Sequence, residues 1–510
     1  MTLTGKLSPS VLLLTLACAS ASAGAADSAA TAADTQQRIQ QLQNEVDGLE
    51  QQLQQLRSAM AAQAAQQGAA PAAQAAAAGA AGAGSAQATG AVATPSQTAA
   101  GASTGAAAGQ PPAGNGAAAT GASAAAASSP FANFSLWGYG EVYYTRPIHD
   151  SNLAEADLAR AVFGIGYTFD DRTEFNSEYE VEHAVTSASD VGEFEVEQFY
   201  IDRQLSNWAT LRAGLFLMPF GLLNEHHEPT NFYGVQRNFV ETLIIPSTWR
   251  EGGFNLHGDT PVGISWNAGL TTGFDLSRWD YAPEFPQYVT ALDMEDNDVA
   301  PLQATHQELG LAHGGHLSSY VALAYNGIPG LTLGGALTTG DAYRVPAPPN
   351  APIYGNQRVT LWEGHARWNP GRLDLSALYA RGAISNLVVA NASNPGSPNP
   401  IPSAFYGYYM QAAYDVWDRG EYRLAPFARF EYYNMGSEYE GTTGPVVPSG
   451  LVPVSAAPGD YGYWPHNYDR VWTFGANFYV TPHVVFKGDY QSFDVNTNFS
   501  RVDFGLGLNF

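Results

Sequence analysis

From Phe131 to Phe510 the chain runs in aromatic-rich stretches of about ten residues in which apolar and polar positions alternate, broken by Gly, Pro, Asn and Asp. The last stretch is the clearest. Over Arg501 to Phe510 one face carries Val502, Phe504, Leu506, Leu508 and Phe510, and the other Arg501, Asp503, Gly505, Gly507 and Asn509. A period of two sends successive side chains to opposite faces of a strand, so this is a strand with one wholly apolar face. Upstream, Trp472, Phe474, Ala476, Phe478 and Val480 oppose Thr473, Gly475, Asn477 and Tyr479. A tight Thr481-Pro482-His483 turn follows, and then Val484 and Phe486 oppose Lys487, Asp489 and Gln491. Pro426, Ala428, Phe430 and Tyr432 face away from Phe427, Arg429, Glu431 and Tyr433; Leu136, Gly138, Gly140 and Val142 face away from Ser135, Trp137, Tyr139, Glu141 and Tyr143.

Repetition of apolar-out, polar-in strands predicts an all-β fold, a transmembrane antiparallel barrel over 131–510 that begins near Phe134. Backbone groups in hydrocarbon must all be paired, so such a sheet has to close. At roughly 24 residues per strand with its loop, the segment accommodates about 16 strands. Side chains do not fill a lumen of that size, and water is expected inside.

The first 130 residues are of a different kind. Lys6, the apolar run Val11 to Ala17 and the Ala21-Ser22-Ala23 site predict a signal peptide over 1–23. In 24–60, Ile39, Leu42, Val46, Leu49, Leu53, Leu56 and Met60 recur at alternating intervals of three and four among Gln, Asn, Asp, Glu and Arg, a heptad seam that predicts a short coiled coil and self-association. Residues 61–130 are almost entirely Ala, Gly, Gln, Ser, Thr and Pro, which reads as a disordered linker.

Charge narrows the function. Lys plus Arg is 22 against 47 Asp plus Glu, a net charge of −25, which excludes a nucleic-acid partner. Lys6 and Lys487 are the only lysines, and Cys18, the sole cysteine, lies in the leader, so thiolate metal sites and disulfides are absent from the processed chain. Neither G-x-S-x-G nor H-E-x-x-H occurs, so no enzyme activity, cofactor or metal is expected.

The sharpest inward signal is acidic. In Thr173 to Glu182, alternation sets Glu174, Asn176, Glu178, Glu180 and Glu182 against Phe175, Tyr179 and Val181; Glu193, Glu195 and Glu197 then oppose Phe194 and Val196 until the phase breaks near Gln198. Antiparallel pairing of the two strands would gather the carboxylates on one wall, where they repel unless cations or arginine neutralise them. Arg160, Arg172, Arg203 and Arg212 are the candidates, and the expected bias is toward cations. Arg212, Arg429, Glu431, Lys487 and Asp489 complete the predicted pore lining. Met218 to Arg250 lacks sustained alternation and reads as a constriction loop carrying Glu225, His226, His227, Glu228, Arg237 and Arg250. His313-Gly-Gly-His316 and Asp293 to Asp298 also read as loops.

The stretches Gly214-Leu-Phe-Leu-Met-Pro-Phe-Gly221, Asn224-Glu-His-His-Glu-Pro-Thr230, Phe232-Tyr-Gly-Val-Gln-Arg237, Pro246-Ser-Thr-Trp-Arg-Glu-Gly-Gly253, Pro426-Phe-Ala-Arg-Phe-Glu-Tyr432 and Phe486-Lys-Gly-Asp-Tyr-Gln491 resemble outer-membrane porins of the phosphate-selective O and P family. The resemblance implies a 16-stranded, usually trimeric barrel with loops folded into the lumen, passing small hydrophilic solutes through the bacterial outer membrane. It also implies a periplasmic coiled coil. Phosphate selectivity in that family rests on an arginine ladder and lysine clusters, from which this chain departs. The expected partners are therefore outer-membrane lipid, further copies of the chain, small solutes, and the barrel assembly machinery through Phe510. The alternatives are a tether or adhesin-type barrel joining membrane to cell wall through the coiled coil, or an anion- or phosphate-selective porin as in the family it resembles.

Overall fold

The computed structural model describes residues 132–184, 192–283, 299–343, 356–447 and 465–510. The predicted signal peptide, the heptads from Ile39 to Met60, the linker and the Asp293 to Asp298 cluster lie outside the described residues.

The strands are β1 (Phe134–Pro147), β2 (Glu155–Asp170), β3 (Thr173–Glu182), β4 (Phe194–Ser206), β5 (Ala209–Leu217), β6 (Arg250–Asp259), β7 (Ile264–Thr272), β8 (Leu317–Ile328) and β9 (Leu331–Asp341). They continue as β10 (Arg358–Trp368), β11 (Leu373–Ser385), β12 (Pro402–Tyr414), β13 (Trp417–Arg419), β14 (Tyr422–Tyr439), β15 (Tyr468–Thr481), β16 (Val484–Phe493) and β17 (Arg501–Asn509). Apart from β13, each pairs antiparallel with the next strand along the chain, β12 with β14, and β1 also pairs with β17 from Tyr139↔Asn509 to Pro147↔Arg501. The three-residue β13 pairs with β14 alone and prolongs β12, so the wall is a closed barrel of sixteen strands, as the segment length predicts.

Connections alternate in length. One rim carries tight turns such as Pro329-Gly330 and Pro482-His483, together with the start of β1 and the end of β17; the other carries every long loop. At Gly330 the backbone takes φ +75°, and a Cβ there would lie 2.3 Å from the Asn369 carbonyl oxygen, so the turn requires glycine.

The alternation read from the sequence sorts the wall correctly. Trp472, Phe474, Phe486, Phe504 and Leu508 are exposed on the outside, while Thr473, Asn477, Lys487, Asp489, Arg501 and Asp503 are buried inside. Outward aromatics touch one another in two bands. Phe134–Tyr167 and Tyr167–Phe169, at 4.9 and 5.0 Å, lie toward the short-turn rim with Trp208–Trp266. Nearer the long loops, Trp362–Tyr379, Tyr406–Tyr432 and Phe430–Trp472 follow one another round the wall. An apolar belt between aromatic girdles is what a bilayer selects.

The interior departs from a simple water-filled lumen. From Leu215 to Gly253 no residue is exposed. Phe220, Phe239, Val240, Leu243, Ile244 and Trp249 of the loop form one buried cluster with Phe216 and the wall residues Leu361, Leu378, Tyr409 and Tyr433. Burial of each such side chain is worth about 1.5–3 kcal/mol, which is why an irregular segment folds into the barrel rather than over it. The core of this membrane-type barrel thus sits inside the cylinder.

Candidate constriction in the barrel lumen

Between β5 and β6 the loop 218–249 is closed at its base by one side chain. Asn224 donates from Nδ2 to the carbonyls of Met218 (2.7 Å) and Trp249 (2.8 Å) and accepts from the Trp249 N–H at 2.7 Å. Deeper in, the Glu241 carboxylate accepts from the N–H groups of Leu222 and Leu223, from Asn238 Nδ2 and from the Tyr409 hydroxyl. Burial still pushes the Glu241 carboxyl above its ordinary range, against the donors that favour its charge.

The loop is then pinned to two regions of the wall. On the β14–β16 side, Phe239 N–H donates to Glu431 (2.7 Å), Val235 N–H to Asp489 (2.6 Å), and Arg429 Nη1 to the Tyr233 carbonyl (3.1 Å). On the β1–β4 side, Arg160 Nη2 donates to the His227 carbonyl at 2.5 Å. His227 itself lies between Asn224 and the wall, with Nδ1 2.9 Å from the Asn224 carbonyl and Nε2 2.6 Å from the Tyr139 hydroxyl. A carbonyl only accepts, so Nδ1 carries the proton. Burial, helped by the Arg160 and Arg237 charges, lowers the imidazole pKa. The neutral ring therefore accepts the Tyr139 proton at Nε2.

The acidic wall forms as the alternation predicts. Glu180 on β3 is directly opposite Glu195 on β4, and the phase break is a bulge at which Gln198 pairs with Glu178 and Val196 with Tyr179. Bulges of this kind re-aim side chains, and here Glu197 is fully buried beside Glu180. Carboxylate oxygens of Glu180, Glu182 and Glu195 lie within 4.8 Å of one another. Glu178 accepts from Trp137 Nε1 at 3.0 Å and from Gln198, while Glu197 lies 3.1 Å from the Tyr139 hydroxyl.

The expected neutralisation comes from other residues. Arg203 pairs with Asp170 near the short-turn rim, and Arg212 grips Asp202 through two bonds of 2.9 Å, both below the cluster. Arg160 is at the wall but binds Glu141 at 2.8 Å. Arg250 meets Glu195, and it does so as the first residue of β6 while also holding Glu308 at 3.2 Å, rather than as part of the constriction loop. Glu193 precedes β4 and is exposed, because the strand starts one residue later than the alternation suggests. Glu174 stays half-buried on β3.

The four-residue run in the loop is split. His227 turns to Tyr139, whereas Glu228 accepts from Asn231 at 2.5 Å; Glu225, His226, Glu228 and Arg237 remain half-buried, the wettable face of the loop. His313 stacks on Tyr343 at 3.6 Å, far in sequence from these groups.

Across β14–β17 a second inward row runs through register partners: Arg429↔Thr473, Thr473↔Gln491, Gln491↔Arg501. Arg429 binds Glu431 at 2.7 Å, Arg501 lies 3.2 Å from Asp503, and Asp503 accepts from Thr145 at 2.5 Å. Lys487 Nζ sits 3.4 Å from the Phe232 ring centroid. Tyr139, Glu141, Asn224, Glu241 and Glu308 join the site without a charge cluster or motif that marks them in the sequence. The first two share the inward phase of Trp137 and were findable; the others gave no local signal.

No family model matches the chain. An uncharacterised protein of Aquifex aeolicus (strain VF5) is 28% identical over 365 residues, covering 70% of this chain and 74% of that one. Among solved structures, Salmonella typhi OmpF in complex with daunomycin is similar at 11% identity and TM-score 0.47, covering 74% of this chain and 98% of that one. An anion-selective porin from Comamonas acidovorans is similar at 12% identity and TM-score 0.42 over the same shares. The barrel assigned above rests on this chain's own strand pairing.

Proposed function

We propose that this chain is an outer-membrane porin, a barrel through which small hydrophilic solutes and ions diffuse passively, with a preference for cations. The carrying observation is the unequal wetting of its inward charges. Arg429, Arg501 and Lys487 are 2%, 1% and 5% exposed, sealed beneath the loop, and Glu178, Glu180 and Glu197 are buried as deeply, whereas Glu174, Glu182, Glu195, Glu225 and Glu228 are half-buried. A permeating ion meets the carboxylates, and a narrow lumen with low-dielectric walls concentrates their field. Arg212, Arg237, Arg367 and Arg423 are half-buried too and moderate the preference.

The outward apolar belt supports a membrane location. The short-turn rim, where β1 begins, faces the periplasm in this reading, and the heptads would join copies of the chain, as a trimer in the family it resembles. Phe510, 73% exposed on that rim, is offered to the assembly machinery. The deciding experiment is reversal potential in a salt gradient across a planar bilayer holding the purified full-length protein. Cation selectivity is expected, and it should fall toward zero when Glu178, Glu180, Glu182, Glu193, Glu195 and Glu197 become Gln, most of all at low salt, where the Debye length is longer. Anion selectivity overturns the charge assignment. Absence of conductance overturns the pore and leaves a sealed barrel acting as a tether, which the deep burial of the loop would then explain.

A further inference from the structure

We propose that Glu180, Glu182 and Glu195 form a binding site for a hard divalent cation, Ca²⁺ by preference, which cross-links β3 and β4 at the long-loop end of the barrel.

The geometry comes from the strand register. Glu180 and Glu195 are direct partners across the β3–β4 ladder, and Glu182 lies two residues further along the same face, so three carboxylates converge without any loop having to order. Their oxygens fall within 4.8 Å of one another. Two oxygens on opposite sides of a Ca²⁺ ion, each at about 2.3–2.6 Å, stand roughly 5 Å apart, so the cluster can contact one ion simultaneously.

A second observation points to a missing partner. Glu180 is 2% exposed, yet its Oε1 makes no hydrogen bond among the described residues. Glu197, outside the trio and fully buried, touches Glu180, and its own Oε1 has no hydrogen-bond donor; the nearest imidazole nitrogen, His227 Nε2, is 3.5 Å away and already engaged by Tyr139. Buried carboxylate oxygens without donors are costly, and a cation is the partner that satisfies several at once. The guanidiniums nearby fill this role only in part: Arg250 holds one oxygen of Glu195 together with Glu308, and Arg160, bonded to Glu141 and the His227 carbonyl, acts on Glu180 and Glu197 through its charge without a hydrogen bond to either, which leaves the Oε1 atoms of Glu180 and Glu197 for a cation.

The donor set selects the metal class. Oxygen ligands alone favour Ca²⁺ or Mg²⁺ over Zn²⁺ or Cu²⁺, which prefer nitrogen and sulfur. Mg²⁺ requires near-octahedral geometry with ligands close in and keeps much of its water, whereas Ca²⁺ tolerates an irregular carboxylate cage. Glu178, held by Trp137 and Gln198, closes the lower side of the cluster without competing for the ion.

The site depends on the barrel and not on the pore, so its failure and the failure of the conductance reading are separate results. Full-length protein in detergent, stripped with EDTA and titrated with CaCl₂ by calorimetry at neutral pH, is expected to bind one ion per chain. Glu180→Gln and Glu195→Gln should each weaken that binding roughly tenfold or more, since affinity follows ligand charge. Asp418→Asn, at the short-turn rim, should leave it unchanged. Terbium luminescence on the unmodified protein gives a readout that needs no carboxylate variant: emission sensitised by indole, reversed by Ca²⁺ and reduced in Trp137→Phe, is expected. No saturable Ca²⁺ uptake by the unmodified protein, or equal uptake by Glu180→Gln, overturns the site and leaves bound protons as the means by which these carboxylates coexist.

Discussion

The acidic wall of β1–β4 and the charged row of β14–β17 are built by the same alternation, yet they serve different ends. In the row, charges are countered close at hand. Arg429 has Glu431 two residues away, Arg501 has Asp503, and the Glu431 and Asp489 carboxylates each accept an N–H from the loop that covers them. These groups are shut from water and act as fasteners. In the acidic wall, carboxylates stand opposite carboxylates, arginine support arrives from β2 and β6, and several oxygens keep contact with the lumen. Inward-facing is therefore not the same as wetted. The loop decides between them: it is pinned to both walls, but it seals the charged row and leaves Glu182 and Glu195 of the acidic wall partly wet.

The contrast fails first if the row is not a fastener. Glu431→Ala should cost about 5 kcal/mol, because it strands a buried guanidinium and frees the Phe239 N–H; urea unfolding followed by heat-modifiable mobility measures it, and a loss below about 1 kcal/mol contradicts the assignment. Next in size is the base of the loop. Asn224→Ala removes three buried hydrogen bonds at about 1 kcal/mol each, roughly 3 kcal/mol in all, and should raise single-channel conductance as the loop loosens.

A smaller effect is confined to acid. Burial lowers the His306 pKa from 6.5 to about 4, so the unfolded chain takes up the proton first. Stability from the neutral ring is complete above about pH 6.5 and is lost as pH falls toward 4, by at most about 3 kcal/mol at ~1.4 kcal/mol per pKa unit. His306→Gln should flatten that limb of the stability profile; an unchanged limb assigns the acid sensitivity elsewhere. The smallest expected effect is none. Arg429→Gln should lower stability while leaving the reversal potential where it was, and a shift toward stronger cation preference would show that the row does meet the permeating ion.

The two regions differ in how far their structure is legible in the sequence, for a physical reason. Strand phase is local, so Arg501 to Phe510 and the hairpin through Pro482 could be assigned, inside and outside, from neighbours two residues away. The phase break at Gln198 was equally visible and is the bulge. Partners were not visible, because they join residues remote along the chain: Phe239 to Glu431, Val235 to Asp489, Arg250 to Glu195. The lumen was expected to hold water because barrel diameter follows from strand number, whereas its filling depends on where Phe220, Phe239 and Trp249 fold, and their spacing has no period to betray it.

The seam between β1 and β17 has a consequence for the order of events during biogenesis. Gly138 and Phe510 exchange backbone hydrogen bonds at 3.1 and 2.9 Å, and the ladder runs on from Tyr139 to Pro147, joining strands separated by most of the barrel sequence. Neither edge can be capped by its own partner until the last strand has been delivered. Until then β1 presents unpaired N–H and C=O groups along that side, an adhesive edge open to any other strand in reach. Loop-closure entropy makes this junction late as well as long-range. The step that closes this barrel is then the docking of its nine-residue β17 onto β1.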